Sequence, residues 1–179
     1  EISSMTEEID TSTTRTFNFD YDSNQNRIRV TKPQGNKDKW EYNERDRVKK
    51  VIRGETDQKA SEVEYAYDAN GNLETSTDGR DNDLDFTYDL FDRRTKATNA
   101  LGHYTAWEFD KNSNITKVQR KDSSDTELQR ETYYYDTRNR HWKTSALFKD
   151  PSQTYSDTVT TYERLKTNQI KKITNPRSK

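Results

Sequence analysis

Short windows in which aromatic and polar side chains alternate recur along the chain. Six of them place aromatics at i and i+2: Phe19/Tyr21, Trp40/Tyr42, Tyr65/Tyr67, Phe86/Tyr88, Trp107/Phe109 and Tyr133/Tyr135. The residue between is polar or small in five windows and Tyr134 in the sixth. Residues two apart share one face of a strand, so the pattern predicts half-buried β-strands with an aromatic face, and nothing in these windows repeats at the helical period. With the second aromatic of each window as an anchor, and Tyr162 as a seventh that has Thr160 two places before it, the anchors are spaced by 21, 25, 21, 21, 26 and 27 residues. A recurring interval of this size is the mark of a repeat protein, the longer steps being loop insertions.

Each anchor is followed by an acidic residue or Asn: Asp22, Asn43, Asp68, Asp89, Asp110, Asp136 and Glu163. A short Asn-, Asp- and Gly-rich stretch comes next, as in Asp68-Ala69-Asn70-Gly71-Asn72. Four places after the anchor stand Asp46, Gly71, Asp92, Ser113 and Asn139, mostly residue types that tolerate positive φ. This predicts a three- or four-residue hairpin loop with a left-handed residue at that position, which Ser113 fits least well. A return strand then begins at an apolar residue such as Val48, Leu73 or Ile115, and three repeats carry a second apolar residue three places on: Val48/Val51, Ile115/Val118 and Ile170/Ile173. A spacing of three breaks strand periodicity; a β-bulge explains it, and so does contact on both faces. The first repeat reads as carrying one extra residue before Ile28, and the seventh as two residues longer before Ile170.

Between repeats lie polar connectors, among them Arg53–Ser61, Lys121–Gln129 and Lys149–Asp157, the last with a turn signal at Asp150-Pro151. The expected organisation is a polar N-terminal segment over residues 1–16, a β-strip of hairpins over 17–174 and a tail over 175–179, with both ends reading as cut points. Composition changes this picture in one respect. Leu, Ile, Val and Phe make up only about 15% of the chain, a level that warns of disorder. Against that stand 11% aromatics, regularly placed, and 31 basic residues almost balanced by 32 acidic ones. The expectation is therefore an ordered fold with a thin core. The balanced charge gives no global field for nucleic acid, no apolar run approaches a membrane span, and the absence of cysteine excludes disulfides and thiolate metal sites.

These residues resemble the YD-repeat, or Rhs-repeat, family. The match is Tyr67-Asp68-x-x-Gly71-x-Leu73-x-x-x-Thr77-Asp78, with weaker copies at Tyr42, Tyr88, Phe109 and Tyr135. The family's Gly-Arg after the turn has counterparts in Asp46-Arg47, Asp92-Arg93 and Asn139-Arg140, and its later turn glycine in Gly35, Gly79 and Gly102. The resemblance implies antiparallel hairpins joined side by side into a long β-strip, about fourteen strands in all, and part of a shell that encloses a toxin polypeptide. It implies a secreted or surface protein of bacteria, with the rest of the parent shell or the enclosed toxin as partners. The family's self-cleaving segment is not matched, since Asp150-Pro151 is followed by Ser152-Gln153. No catalytic activity is carried over.

Candidate chemistry is sparse. Asp-x-Asn-x-Asn occurs at Asp22/Asn24/Asn26, Asp68/Asn70/Asn72 and Asp110/Asn112/Asn114 and opens like an EF-hand loop, but the twelfth positions hold Pro33, Gly79 and Lys121 in place of a bidentate Glu. Hairpin turns are the favoured reading over a cation site, and no cofactor is expected. His103 and His141 fall in different repeats without an acid or nucleophile at catalytic spacing. The remaining binding potential lies in aromatics that escape burial. Trp142 stands outside the paired positions and is the tryptophan expected to be exposed; with Arg138 and Arg140 it is the candidate ligand site, for carbohydrate or a partner protein. A wet aromatic face would also favour self-association.

Overall fold

The computed structural model describes residues 4–10, 13–149, 155–165 and 167–175. It is all-β, with fifteen strands: β1 (Ser4–Asp10), β2 (Thr13–Tyr21), β3 (Arg27–Thr31), β4 (Lys37–Tyr42), β5 (Val48–Arg53), β6 (Ser61–Tyr67), β7 (Leu73–Asp78), β8 (Asp83–Tyr88), β9 (Arg94–Asn99), β10 (Tyr104–Phe109), β11 (Ile115–Lys121), β12 (Glu127–Tyr135), β13 (His141–Lys149), β14 (Tyr155–Arg164) and β15 (Ile170–Thr174). Sheet order equals chain order in an open antiparallel sheet, as the hairpin pattern requires. The Asp150-Pro151 signal lies outside the described residues. No helix among them is long and apolar enough to cross a membrane. The chain divides into two compact units at Leu84/Asp85.

The irregular apolar spacing of the return strands resolves into a bulge. In the β4–β5 hairpin Tyr42 faces Val48, Glu41 faces Lys50 and Trp40 faces Val51, so Lys49 is left without a partner. The unpaired residue returns Val48 and Val51 to the face of Trp40 and Tyr42, although they are three apart. Phe109/Ile115 and Trp107/Val118 repeat the arrangement around Thr116. The same register shift leaves Ile28, Glu74, Trp142 and Lys171 unpaired in four other hairpins.

Two expectations about repeat length are corrected by this register. The first hairpin has no extra residue, because Tyr21 faces Arg27 and Ile28 is the bulge. The seventh has no insertion either. Arg164 faces Ile170 and Tyr162 faces Ile173, so Arg164 holds the anchor position and Tyr162 the position of the first aromatic.

In a single layer almost nothing is deeply buried. Among the described residues Val30, at 8% relative exposure, is the buried apolar side chain and Asp38, at 4%, the buried polar one. The aromatics are covered by cations rather than by a second layer. In the first unit the Arg27 guanidinium lies 4.8 Å from the Trp40 ring centroid, and that of Arg47 4.4 Å from Tyr67. In the second, Arg93 lies between Phe91 and Phe109 at 5.2 and 4.6 Å, and Arg94 sits 5.2 Å from both Phe86 and Trp107. Each such stack is worth about 0.5–1 kcal/mol at an exposed site. On the opposite face, cross-strand ion pairs such as Lys50 with Glu62 and Glu64 at 2.9 Å, and Lys117 with Glu108 at 2.7 Å, keep the surface charged.

Candidate functional site: the turn column and the Tyr-Asp pair

The residues that the repeat pattern singles out converge on one recurring structure. After each anchor strand the chain closes a three-residue loop. In the first, the Asp22 N–H donates to the Asn26 carbonyl at 3.0 Å and the Gln25 N–H to the Asp22 carbonyl at 3.1 Å. The residue four places after the anchor is left-handed throughout: Gln25, Asp46, Gly71, Asp92, Ser113, Asn139 and, after Arg164, Asn168 all have positive φ. Ser113 adopts it at φ 66°.

The acidic residue or Asn after the anchor organises the loop. Asp22 Oδ1 accepts from the N–H groups of Asn24 and Asn26, both at 2.9 Å. Asp110 does the same with Asn112 and Asn114, and Asp136 with Arg138 and Arg140. A short side chain with a fixed acceptor satisfies two amides that the tight loop cannot pair otherwise. The polar connectors carry the same device along the other edge. Asp78, Asn99 and Asp122 accept from the N–H groups two and four residues on, and Gly35, Asp81, Gly102 and Asp125 take the left-handed position. In the turn that holds Gly79, the left-handed residue is therefore Asp81.

The anchor tyrosine ties neighbouring hairpins together. Tyr42 Oη donates to the Arg27 carbonyl at 3.0 Å, Tyr67 to the Val48 carbonyl at 2.8 Å and Tyr135 to the Ile115 carbonyl at 3.0 Å. Each acceptor is the first residue of the preceding return strand, beside the bulge. Tyr67→Phe should therefore lower stability by about 1 kcal/mol in urea unfolding with the bulge geometry unchanged; a loss under about 0.3 kcal/mol would show the hydroxyl to be idle.

A second tie alternates along the column. The fifth turn residue is Asn26, Arg47, Asn72, Arg93, Asn114 and Arg140 in succession. Asn26 and Asn24 both donate to Asp46 Oδ1, at 2.7 and 2.9 Å. Asn114 and Asn112 donate to Asn139 Oδ1. The arginines reach the next turn differently: Arg47 stacks on Tyr67, Arg93 donates to the Asp110 carbonyl at 3.0 Å and Arg140 to the Leu165 carbonyl at 3.3 Å. The Asp-x-Asn-x-Asn segments at Asp22 and Asp110 are thus turns whose amides clasp the neighbouring hairpin.

Electrostatics follow the same contacts. Arg140, at 2.8 Å through Nε, pulls the Asp136 carboxyl to about 2, helped by the turn amides. Asp46 is lowered by Asn24 and Asn26, Asp89 by Arg93 and Asp110 by Asn114. Burial, with the Glu131 carboxylate beside it, pushes the Tyr133 phenol up to about 12. His141 lies against Tyr133, Tyr135 and Tyr162 and bonds the Thr144 hydroxyl at 2.9 Å, whereas His103 closes a turn on the other edge. Of the candidate ligand residues, Arg140 is engaged within its turn, the backbone of Arg138 serves the Asp136 cap, and Trp142 is 41% exposed.

Residues 67–104 match the RHS Repeat family model. The RHS repeat match takes in the turn at Asp68–Asn72, and the same hairpin geometry recurs outside it from Phe19 to Ile173. None of the curated proteins matches the sequence. Among solved structures, the crystal structure of TcdB2-TccC3 superposes with a TM-score of 0.75 at 14% identity, covering 93% of this chain and 10% of that one. The Photorhabdus luminescens Tc holotoxin pore superposes at 0.71 with 15% identity, covering 90% and 9%. The chain thus spans about a tenth of the length of these structures and shares their fold over that stretch.

Proposed function

We propose that this chain is a non-catalytic structural strip of a larger secreted or surface protein of bacteria, and that in its parent it builds part of a β-shell that encloses or displays another polypeptide. The observation that carries this reading is the exposed single layer. Its two faces are finished differently, one by arginine-capped aromatics and the other by ion pairs, and neither is covered by a second layer among the described residues. The likeness to a short stretch of the much longer toxin-complex chains agrees with a segment that continues into more sheet. Its named polar side chains serve turns and seams, which suits a wall. Partners on this reading are the rest of the shell and the polypeptide within it.

Light scattering with dye binding tests the proposal. The isolated strip should self-associate as concentration rises and bind an apolar dye on its aromatic face, because that face evolved against a neighbour. A monodisperse monomer that binds no dye up to high concentration would mark an autonomous module and overturn it.

A further inference from the structure

Five hairpins of the turn column have polar or small residues at their tips: Ser23-Asn24, Glu44-Arg45, Ala69-Asn70, Lys111-Asn112 and Thr137-Arg138. The turn between β8 and β9 carries Leu90-Phe91 instead. At 98% and 78% exposure these are the most open large apolar side chains among the described residues. The fold makes little use of them. Asp89 closes the turn by accepting from the N–H groups of Phe91 and Arg93, which takes only backbone from the tip. A side chain as open as that of Leu90 buries no area and so adds nothing to stability. Phe91 meets the Arg93 guanidinium 5.2 Å from its ring centroid and still faces solvent. The neighbouring tips of the second unit are cationic. Arg93 reaches the Asp110 carbonyl and Asn112 reaches Asn139, which sets the three turns side by side, at roughly 10 Å per hairpin. Lys111 and Arg138 project from them, both exposed and neither in an ion pair among the described residues. The carboxylates of these turns are largely engaged: Asp89 by Arg93 at 2.6 Å, Asp136 by Arg140 at 2.7 Å, and Asp110 by Asn114 and its own turn amides. Asp92, at the left-handed position beside the apolar tip, is the fourth acid there.

We propose that this edge docks on an anionic phospholipid surface, with Leu90 and Phe91 inserted at the boundary of headgroups and acyl chains and with Lys111 and Arg138 on the headgroups. An apolar pair that projects from a turn, with cations on the tips beside it, matches both layers of such an interface: the side chains partition below the headgroups, and the ammonium and guanidinium are drawn to the negative surface. Charge complementarity selects anionic over neutral lipid, because the cations are the exposed charges left over once the turn acids are engaged. A convex tip also needs no fitted cavity in a bilayer, whereas a protein partner would have to supply a concave apolar pocket with an acidic rim. The attachment is peripheral, and no strand crosses the membrane. It occupies the edge formed by the turns and leaves both faces of the sheet free, so it holds whether or not the strip encloses a polypeptide.

Flotation of the whole chain with lipid vesicles tests this docking, since vesicles rise through a density gradient while self-associated protein sinks. The chain should float with vesicles of phosphatidylcholine and phosphatidylserine, and far less with phosphatidylcholine alone. Raising the salt to about 1 M should remove most of that difference. The double variant Leu90→Ser, Phe91→Ser should bind at least about tenfold more weakly, with the melting temperature of the parent, because neither side chain is packed. Should that variant fold poorly, Leu90→Ser alone keeps the Phe91–Arg93 contact and should still weaken flotation. Lys111→Gln and Arg138→Gln should each cost about fivefold on the anionic vesicles. Phe91→Trp should keep the binding and lose fluorescence to lipids brominated on their acyl chains. No flotation with anionic vesicles, as expected if the tip fits a protein pocket or a second copy of the chain, would overturn the proposal. So would equal binding to neutral vesicles, undiminished binding by the double serine variant, or a Trp at position 91 that brominated lipid leaves unquenched.

Discussion

Replacing Gly71 with alanine should lower the stability of the strip by about 2–3 kcal/mol. Two independent costs combine at this position. Its φ of +103° lies beyond the small left-handed region open to other residues, at about +50 to +70°. In addition, a Cβ there would stand 2.7 Å from Nη1 of Arg47. That guanidinium, the far end of a flexible side chain, is the cover of Tyr67, so moving it aside uncovers an aromatic ring. Gly35→Ala provides the control. Gly35 has φ +87° with open space around it, so the change carries the backbone cost alone and should be the milder. Asp46, at φ 56°, shows that the same turn position accepts a side chain when the backbone stays in the left-handed well. Urea unfolding followed by tryptophan fluorescence measures both variants. Equal losses for the two would show that Arg47 contributes nothing through Gly71, and a loss under about 0.5 kcal/mol for Gly71→Ala would remove the strain argument as well.

Why one turn needs glycine and its neighbours do not bears on how far the fold was legible in the sequence. Strand polarity, the anchor interval and the left-handed fourth position were readable because each depends on residues within a few places of one another. The bulge was half legible. Val48/Val51 announced an irregularity, but only the cross-strand register with Trp40 and Tyr42 shows that it restores a single face. The seventh repeat was read two residues out of register because aromatic identity was followed. The turn places an arginine, Arg164, at the anchor, and nothing in the local pattern distinguishes Tyr162 as a first aromatic. The turn at Asp122 passed within a connector and those at Asp78 and Asn99 were marked only by Gly79 and Gly102, because no aromatic precedes them, although their Asx-x-x-left-handed pattern equals that of the other edge.

The arginine cover was out of reach of sequence for a different reason. Arg47 lies 20 residues before Tyr67, and Arg93 lies 16 before Phe109; each meets its ring across the seam between successive hairpins. Once seen, it explains how a layer with so few aliphatics stays ordered. A guanidinium is weakly hydrated and planar, so it covers an aromatic face while remaining at the surface. The strip thus needs little apolar mass, because its aromatic face is covered by arginines without being buried under a second layer.

Acidification should dismantle this arrangement from the turns inward. Asp46, Asp89, Asp110 and Asp136 all have carboxyl groups held below their ordinary value of 3.8, through Asn24 with Asn26, Arg93, Asn114 and Arg140 respectively, and Asp136 reaches about 2. A carboxyl whose folded value is depressed stabilises the fold above its unfolded value, and that stability is lost as pH falls toward the folded one. The far-UV signal and melting temperature should therefore hold steady from neutrality to about pH 5 and decline between about pH 4 and pH 2. Loss complete well above about pH 5 would point away from the turn carboxylates, and a strip still intact at about pH 2 would show the aspartate caps to be dispensable. Asp136→Asn separates the two contributions of this residue. The amide keeps an acceptor for the N–H groups of Arg138 and Arg140 but has no charge for the Arg140 guanidinium, which also reaches Leu165 in the next hairpin. The variant should melt lower than the parent at neutral pH and lose less on acidification, so that their melting temperatures converge as the pH approaches about 2. Convergence would assign the acid sensitivity of this turn to the ion pair; parallel curves would assign it to the carboxylates elsewhere in the column.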